Sequence, residues 1–342
     1  YSYLWSDGQT TDTASNLSAG QQIVQVTDAN GNQLSDTVVL TQPLPLITDN
    51  LSSPKFEGEV NVSCAGAIDG SINLEVEGGA DCENYAYSWT GPNGFVSLEQ
   101  NPTGVQSGLF WVTVTDVNGC SYSDTIILTE PEPVVLDAFP NSYNGFGISC
   151  FGGEDGAINL EVSGGIPGYD YQWSNGDSIQ DIGSLASGTY DVLVTDTNGC
   201  QASLSVTLDE PSPVVASFTD TVPILCNGTN TGQVTVEGSG GVPGYDYQWS
   251  NGDMDQLLSG VGAGTYQAIV TDLNGCQDSI QIDLTEPAAL EVDVVQITET
   301  TCFEGDDGSA TVSASGGIGP YSYLWQPSLS NSETATGLSA GE

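Results

Sequence analysis

Along most of the chain, apolar and polar residues alternate over short runs, and glycine-rich turns separate the runs. Ile158, Leu160 and Val162 point one way while Asn159 and Glu161 point the other. Tyr169, Tyr171 and Trp173 share a face, as do Tyr190, Val192 and Val194, and then Leu204, Val206 and Leu208. A period of two with one apolar side predicts strands that cover a core on one face only. With 43 Gly, 16 Pro and no apolar run at helical spacing, the whole chain reads as all-β. No apolar stretch is long enough to cross a membrane as a helix.

The pattern repeats. Tyr3-Leu-Trp5, Tyr85-Ala-Tyr87-Ser-Trp89, Tyr169-Asp-Tyr171-Gln-Trp173, Tyr245-Asp-Tyr247-Gln-Trp249 and Tyr321-Ser-Tyr323-Leu-Trp325 place tryptophans 84, 84, 76 and 76 residues apart. That period is a small domain copied in tandem. Ahead of the aromatic phrase comes a cysteine and a turn, as in Cys150…Asp155-Gly156. After it comes Asp-x-Asn-Gly-Cys, at Asp116–Cys120, Asp196–Cys200 and Asp272–Cys276, with Asn32 in the cysteine's place at Asp28–Asn32. Each copy closes at Gln42-Pro43, Glu130-Pro131, Glu210-Pro211 or Glu286-Pro287. The divisions are 1–45 (partial, C-terminal part), 46–132, 133–212, 213–288 and 289–342 (partial, N-terminal part). Because the chain starts inside one copy and stops inside another, it is expected to be a window on a longer polypeptide.

About six or seven short strands per copy, with a tryptophan on the third, predict tandem immunoglobulin-like β-sandwich repeats joined by short proline-containing connections. Asp-x-Asn-Gly suits the hairpin turn between the last two strands, since Asn and Gly accept positive φ. Aromatics on one face of a central strand are expected in the core. Trp111, outside the aromatic phrase, is the candidate for an exposed, sugar-binding contact.

Three phrases taken together carry a resemblance: Cys150-Phe-Gly152-Gly-Glu-Asp155-Gly156, then Gly164-Gly165 through Trp173, then Gly188-Thr-Tyr190 through Cys200. They resemble the SprB repeat of very large surface adhesins of gliding bacteria, over all three complete copies and both partial ones. The resemblance implies an exported cell-surface or filament-forming adhesin and names no ligand. Asn32, the extra Cys82 and the Asp-less Asn227–Gly232 depart from the pattern.

Eight cysteines suit an oxidising, extracytoplasmic setting. One scheme pairs the cysteines within a copy: Cys64–Cys120, Cys150–Cys200 and Cys226–Cys276. The first of each pair belongs at the bottom of the sandwich and the second at the top, about 20 Å apart, too far for a disulfide. The scheme preferred here joins the end of one copy to the start of the next: Cys120–Cys150, Cys200–Cys226 and Cys276–Cys302. It needs the chain to turn at Glu210–Pro213 and return along Val214–Leu225, so that each copy lends its first strand to the one before. Cys64, facing Asn32, is left over with Cys82.

Charge narrows the partners. Against 45 acidic residues stand Lys55 alone and no histidine, a net charge of −44. Such a surface repels nucleic acid and anionic membrane. It is either a solvated face or a set of Ca²⁺ sites, with Asp69, Glu154, Asp155, Asp306 and Asp307 as candidate ligands. The turn residues Asp28, Asp116, Asp196 and Asp272 are weaker candidates. Thr37, Thr125 and Ser279 lie in Asp-Thr or Asp-Ser patterns resembling those O-glycosylated in bacteria that carry this family. An outward polar residue before an inward aliphatic one would produce the same pattern.

Without histidine there is no Ser-His-Asp or Cys-His pair, and carboxylates that recur with the repeat are poor candidates for an active site. No enzyme activity and no cofactor besides calcium are expected. The reading is a structural repeat region of a long extracellular adhesin or surface filament, stiffened by disulfides at repeat junctions. Its expected partners are other copies of the chain, through cation-screened surfaces or exposed Phe95, Phe110 and Phe139, and cell-surface glycans. The alternative is a spacer in a secreted enzyme or carbohydrate-binding protein.

Overall fold

The computed structural model describes residues 1–80, 84–326 and 330–340. These residues form short antiparallel strands and two single 3₁₀ turns, Glu57–Glu59 and Pro92–Gly94. Contacts divide the chain into two units. One holds Tyr1–Leu136, Val162–Gln172 and Val192–Leu204; the other holds Asp137–Glu161, Trp173–Asp191 and Ser205–Glu342.

The fourth repeat shows the design. Its strands are Val215–Val222, Gly232–Ser239, Asp246–Trp249, Leu257–Val261, Gly264–Thr271 and Gln277–Leu284. The first, second and fourth form one sheet, in the order first-second-fourth; the third, fifth and sixth form the other, in the order third-fifth-sixth. Val234, Val236 and Leu258 from one sheet meet Trp249, Ala268, Val270 and Leu284 from the other in a single core. Period-two patterning causes this, because a register fixed by one apolar face sends every second side chain inward. Phe218 stacks on Trp249, with ring centroids 6.0 Å apart. The indole Nε1–H donates to Asp255 O at 2.9 Å, so the buried ring leaves no polar atom unsatisfied.

The second repeat varies the plan, adding a short strand, Val96–Ser97, beside Ala86–Thr90 and splitting the other sheet into two strand pairs, around a core of Ile72, Leu74, Trp89, Val105, Phe110, Val112, Val114 and Leu128. Its fifth strand, Gly108–Thr115, pairs with Ala86–Thr90 on one side and Ser121–Leu128 on the other. In the third repeat Gly156–Ile158 pairs with Ile182–Leu185, and Trp173, Val192 and Val194 are buried as the alternation predicts. The partial repeats each hold half of the plan. Ser2–Trp5, Gly20–Thr27 and Gln33–Leu40 form the sheet of third, fifth and sixth strands, and Glu291–Thr298, Gly308–Ser315 and Thr334–Leu338 the sheet of first, second and fourth. The immunoglobulin-like reading of the sequence holds.

Two expectations need correction here. Each repeat keeps its own first strand: Val215–Val222 pairs with Gly232–Ser239 rather than returning along the preceding repeat. Phe110 is no surface residue but fully buried, with Phe95 packed edge-on against it at 5.3 Å, whereas Phe139 is exposed.

Candidate functional site: an inter-repeat clamp

The turn between the last two strands is built around one carboxylate. Asp196 Oδ1 accepts the N–H groups of Asn198 at 2.9 Å and Cys200 at 2.8 Å, and Oδ2 accepts that of Ile166 at 2.7 Å. Asp272 does the same with Asn274, Cys276 and Val242, and Asp116 with Asn118, Cys120 and Ala80. These three aspartates are buried. The Ala80 N–H bond holds the Asp116 carboxyl below its ordinary pKa, against the opposing effect of burial and with help from the Cys120 and Asn118 N–H groups. Gly119, Gly199 and Gly275 supply the positive φ that closes each turn. The turn is thus preset, with its asparagine and cysteine facing outward.

A second loop, before the second strand, carries the other cysteine. Ser63 N–H donates to Asp69 Oδ1 at 3.1 Å, Ala67 N–H to Cys64 O at 3.0 Å, and Gly66 N–H to Glu130 Oε2 at 2.6 Å. The third repeat repeats the arrangement with Ser149, Asp155, Cys150, and Gly152 on Glu210. Burial pushes the Asp155 carboxyl up, but the Ser149 hydroxyl and N–H outweigh it, and the net shift is downward. The acidic residue that closes each repeat therefore holds that repeat's cysteine loop.

The two preset loops meet across successive repeats. Cys64 bonds Cys200, with Cα atoms 5.5 Å apart, and Cys150 bonds Cys276, at 5.6 Å. Beside the first bond, Asn198 Nδ2 donates to Glu57 O at 3.1 Å and Ser63 O at 3.3 Å. Beside the second, Asn274 Nδ2 donates to Ser149 O at 2.8 Å and Tyr143 O at 3.4 Å, while its Oδ1 accepts from Asn144 Nδ2 at 2.6 Å. Both amide donors are used at each junction.

The linker is pinned beside the clamp. Gly165 N–H donates to Glu132 O at 2.7 Å, and Tyr169 OH donates to Gly164 O at 2.5 Å. Gly164, at φ +72°, lets Pro133 approach so closely that a Cβ would lie 1.9 Å from its carbonyl oxygen. Gly78 meets Pro45 and Gly240 meets Pro213 in the same way.

The disulfide expectation is therefore overturned. Cys120–Cys150, Cys200–Cys226 and Cys276–Cys302 do not form; Cys120, Cys226 and Cys302 are free and exposed, and Cys64 is not left over. The final strand carries the chain about 25 Å away from Cys200 before the next repeat begins. A cysteine at the top of one repeat can reach only the bottom of the repeat before it. Asn32 folds back instead, donating through Nδ2 to Asp28 Oδ2 at 2.8 Å. Cys82 lies outside the described residues.

The other candidates fall as follows. Asp69, Asp155 and Asp307 brace cysteine loops by accepting N–H groups, while Glu154 and Asp306 are exposed. Among the described residues, no three His, Cys, Asp or Glu side chains gather as a metal-holding group. Thr37, Thr125 and Ser279 are exposed on final strands. The aspartates before Thr125 and Ser279 reach the first strand, Asp124 accepting from Thr48 Oγ1 at 2.6 Å and Asp278 from Ala216 N at 2.8 Å. Trp111 is half exposed, between Thr90 and Thr125 on neighbouring strands. In sequence, Asn198, Asn274, Glu130, Glu210 and Glu286 read only as turn or boundary residues, yet their recurrence in phase with the cysteines is the signal of a shared task.

The SprB repeat family model matches the chain at residues 59–94, 148–178, 218–254 and 294–329. No curated protein matches it in sequence. Among solved structures, three N-terminal domains of the bacteriophage RB49 Highly Immunogenic Outer Capsid protein are similar at 15% identity, covering 71% of this chain and 99% of that one, with a TM-score of 0.37. A tetra-tandem repeat from the extending region of a large adhesion protein is similar at 16% identity, covering 83% and 90%, with a TM-score of 0.28. The N-terminal eight immunoglobulin domains of Down Syndrome Cell Adhesion Molecule are similar at 11% identity, covering 92% and 60%, with a TM-score of 0.27. Among the described residues no helix is long and apolar enough to cross a membrane.

Proposed function

We propose that this chain, an array of SprB repeats, is a load-bearing segment of an extracellular adhesin or surface filament, and that its clamps keep successive repeats from swinging and twisting against one another. One observation carries the reading: each disulfide joins two repeats rather than closing one. A bond inside a sandwich would stabilise that sandwich alone. A bond between sandwiches, backed by an asparagine with both donors engaged, stiffens the connection itself. SprB repeats occur in cell-surface proteins, where oxidising conditions preserve such bonds. The strongly acidic surface keeps neighbouring molecules apart until cations screen it. The role is structural rather than catalytic.

The test is immunogold electron microscopy of intact source cells, with antibody raised against the repeat from Cys150 to Pro211. Label strung along fibres at the cell surface is the expected result. Label found only on compact particles in the medium would overturn the reading in favour of a spacer in a secreted protein.

A further inference from the structure

Two clamps in series offer tension a route that the backbone alone does not. In the third repeat, the first strand, Val135–Pro140, and the sixth, Gln201–Leu208, adjoin the linkers, and each is the edge of its sheet. The second strand, Gly156–Ser163, and the fifth, Gly188–Thr195, are central, with a hydrogen-bonded neighbour on either side. Cys150 lies on the way into the second strand, and Cys200 lies between the fifth and the sixth. From Cys64 to Cys276 the backbone runs 212 residues. Crossing only the first bond, to Cys200, leaves 76 of them to follow, and crossing only the second, from Cys150, leaves 86. The shortest covalent route uses both bonds: Cys64 to Cys200, backwards along 50 residues to Cys150, and across to Cys276. Neither linker, residues 130–133 or 210–213, is on that route.

We infer that the paired clamps divert load, drawing tension through the third repeat by its two central strands and sparing its edge strands and linkers. The inference rests on the load-bearing reading above and gives that load its route. Pulled through its linkers alone, the repeat would be gripped by two edge strands, each held by a single ladder. Once an edge strand starts to peel, the linker path lengthens while the disulfide path does not. Load then passes to the disulfides, and peeling stops. At Cys200 the force meets the turn that Asp196 braces through three N–H groups. At Cys150 it meets the loop that Asp155 and Glu210 hold. The bracing that presets the cysteines for bonding therefore also anchors them under tension.

The test is single-molecule force spectroscopy of the intact chain, held by its two ends, with free thiols alkylated beforehand. With both bonds closed, the stretch from Cys64 to Cys276 can extend to about 180 Å, and after reduction to about 740 Å. The expected gain on reduction is therefore about 560 Å, whereas either bond acting alone would give about 480 Å or less. About ten Gly/Ser residues inserted between Pro131 and Glu132, off the route, should leave the oxidised length unchanged and add about 35 Å after reduction. The same insert between Asn175 and Gly176, in an exposed turn on the route, should add about 35 Å in both states. It also marks the unfolding step of the third repeat, which should come at a higher force before reduction than after. Peptide mapping verifies both bonds in each variant before pulling. A gain of about 480 Å or less, an oxidised chain lengthened by the linker insert, or equal unfolding forces in the two states would overturn the inference. These readouts concern the purified chain, so they succeed or fail independently of the cell-surface label that tests the stalk reading.

Discussion

Replacing both Cys64 and Cys200 by serine tests the clamp most directly. A double replacement is needed because a single one leaves a thiol free to exchange with the Cys150–Cys276 disulfide. The bond spans 136 residues of sequence. Closing a loop of that size removes denatured-state freedom worth about 5 kcal/mol by the chain-entropy model, an upper figure that native strain or residual structure reduces. With a urea slope of about 2 kcal/mol per molar for the segment concerned, the oxidised wild type should unfold about 2 M later than the variant. Cys120→Ser should leave the midpoint where it was. Digestion before aspartate sets each cysteine on its own peptide, so the wild type must also yield Asp49–Ile68 joined to Asp196–Leu208, and Asp137–Glu154 joined to Asp272–Gln277. A midpoint shift below about 0.5 M, or Cys200 recovered on the Cys226 peptide, would refute the reasoning.

Other outcomes follow from the same geometry. Asp272→Ala strips the acceptor from three backbone N–H groups and should cost about 3 kcal/mol in urea unfolding; a neutral result would mean that water replaces the carboxylate. Gly240→Ala, whose new Cβ would lie 2.0 Å from Pro213 O, should cost at least about 3 kcal/mol. Gly252→Ala, with a similar φ but open space around it, should cost only about 1 kcal/mol. Because Asp116 is held below its ordinary pKa, its contribution is complete above the normal carboxyl range and fades as pH falls through the lower folded value. Acid also relieves self-repulsion in a chain of charge −44, so the diagnostic is the melting-temperature gap between wild type and Asp116→Asn. That gap should close on acidification, and a constant gap would contradict the assignment. Trp249→Ala removes a fully buried ring and should destabilise its repeat by about 3–5 kcal/mol.

The strand pattern was legible because its cause is local. Ile158, Leu160 and Trp173 announce an inward face by alternation alone, and the structure buries all three. The turn chemistry at Asp196–Cys200 was legible for the same reason. The cysteine pairing was not, although the sequence placed one cysteine at each end of the sandwich correctly. What failed was the path between repeats: Glu210–Pro213 looks like the corner of a hairpin, whereas the linker is pinned to Gly-Gly of the next repeat and the chain continues. That contact joins Ser212 to Gly241, 29 residues later, and no periodicity reports it. The closing glutamates were hidden in another way. Glu130, Glu210 and Glu286 read as boundary marks until the structure set each beside a glycine N–H some 58 to 64 residues away.

The two bonds also overlap in sequence, since Cys150 falls inside the loop closed by Cys64 and Cys200. Every peptide bond from Cys64 to Cys276 therefore lies within at least one covalent ring. A protease that nicks the chain once anywhere in that span leaves two fragments still tied together, and only a second cut or a reductant can part them. Against proteolysis, the arrangement works like a ladder-stitched seam: one broken thread does not open it.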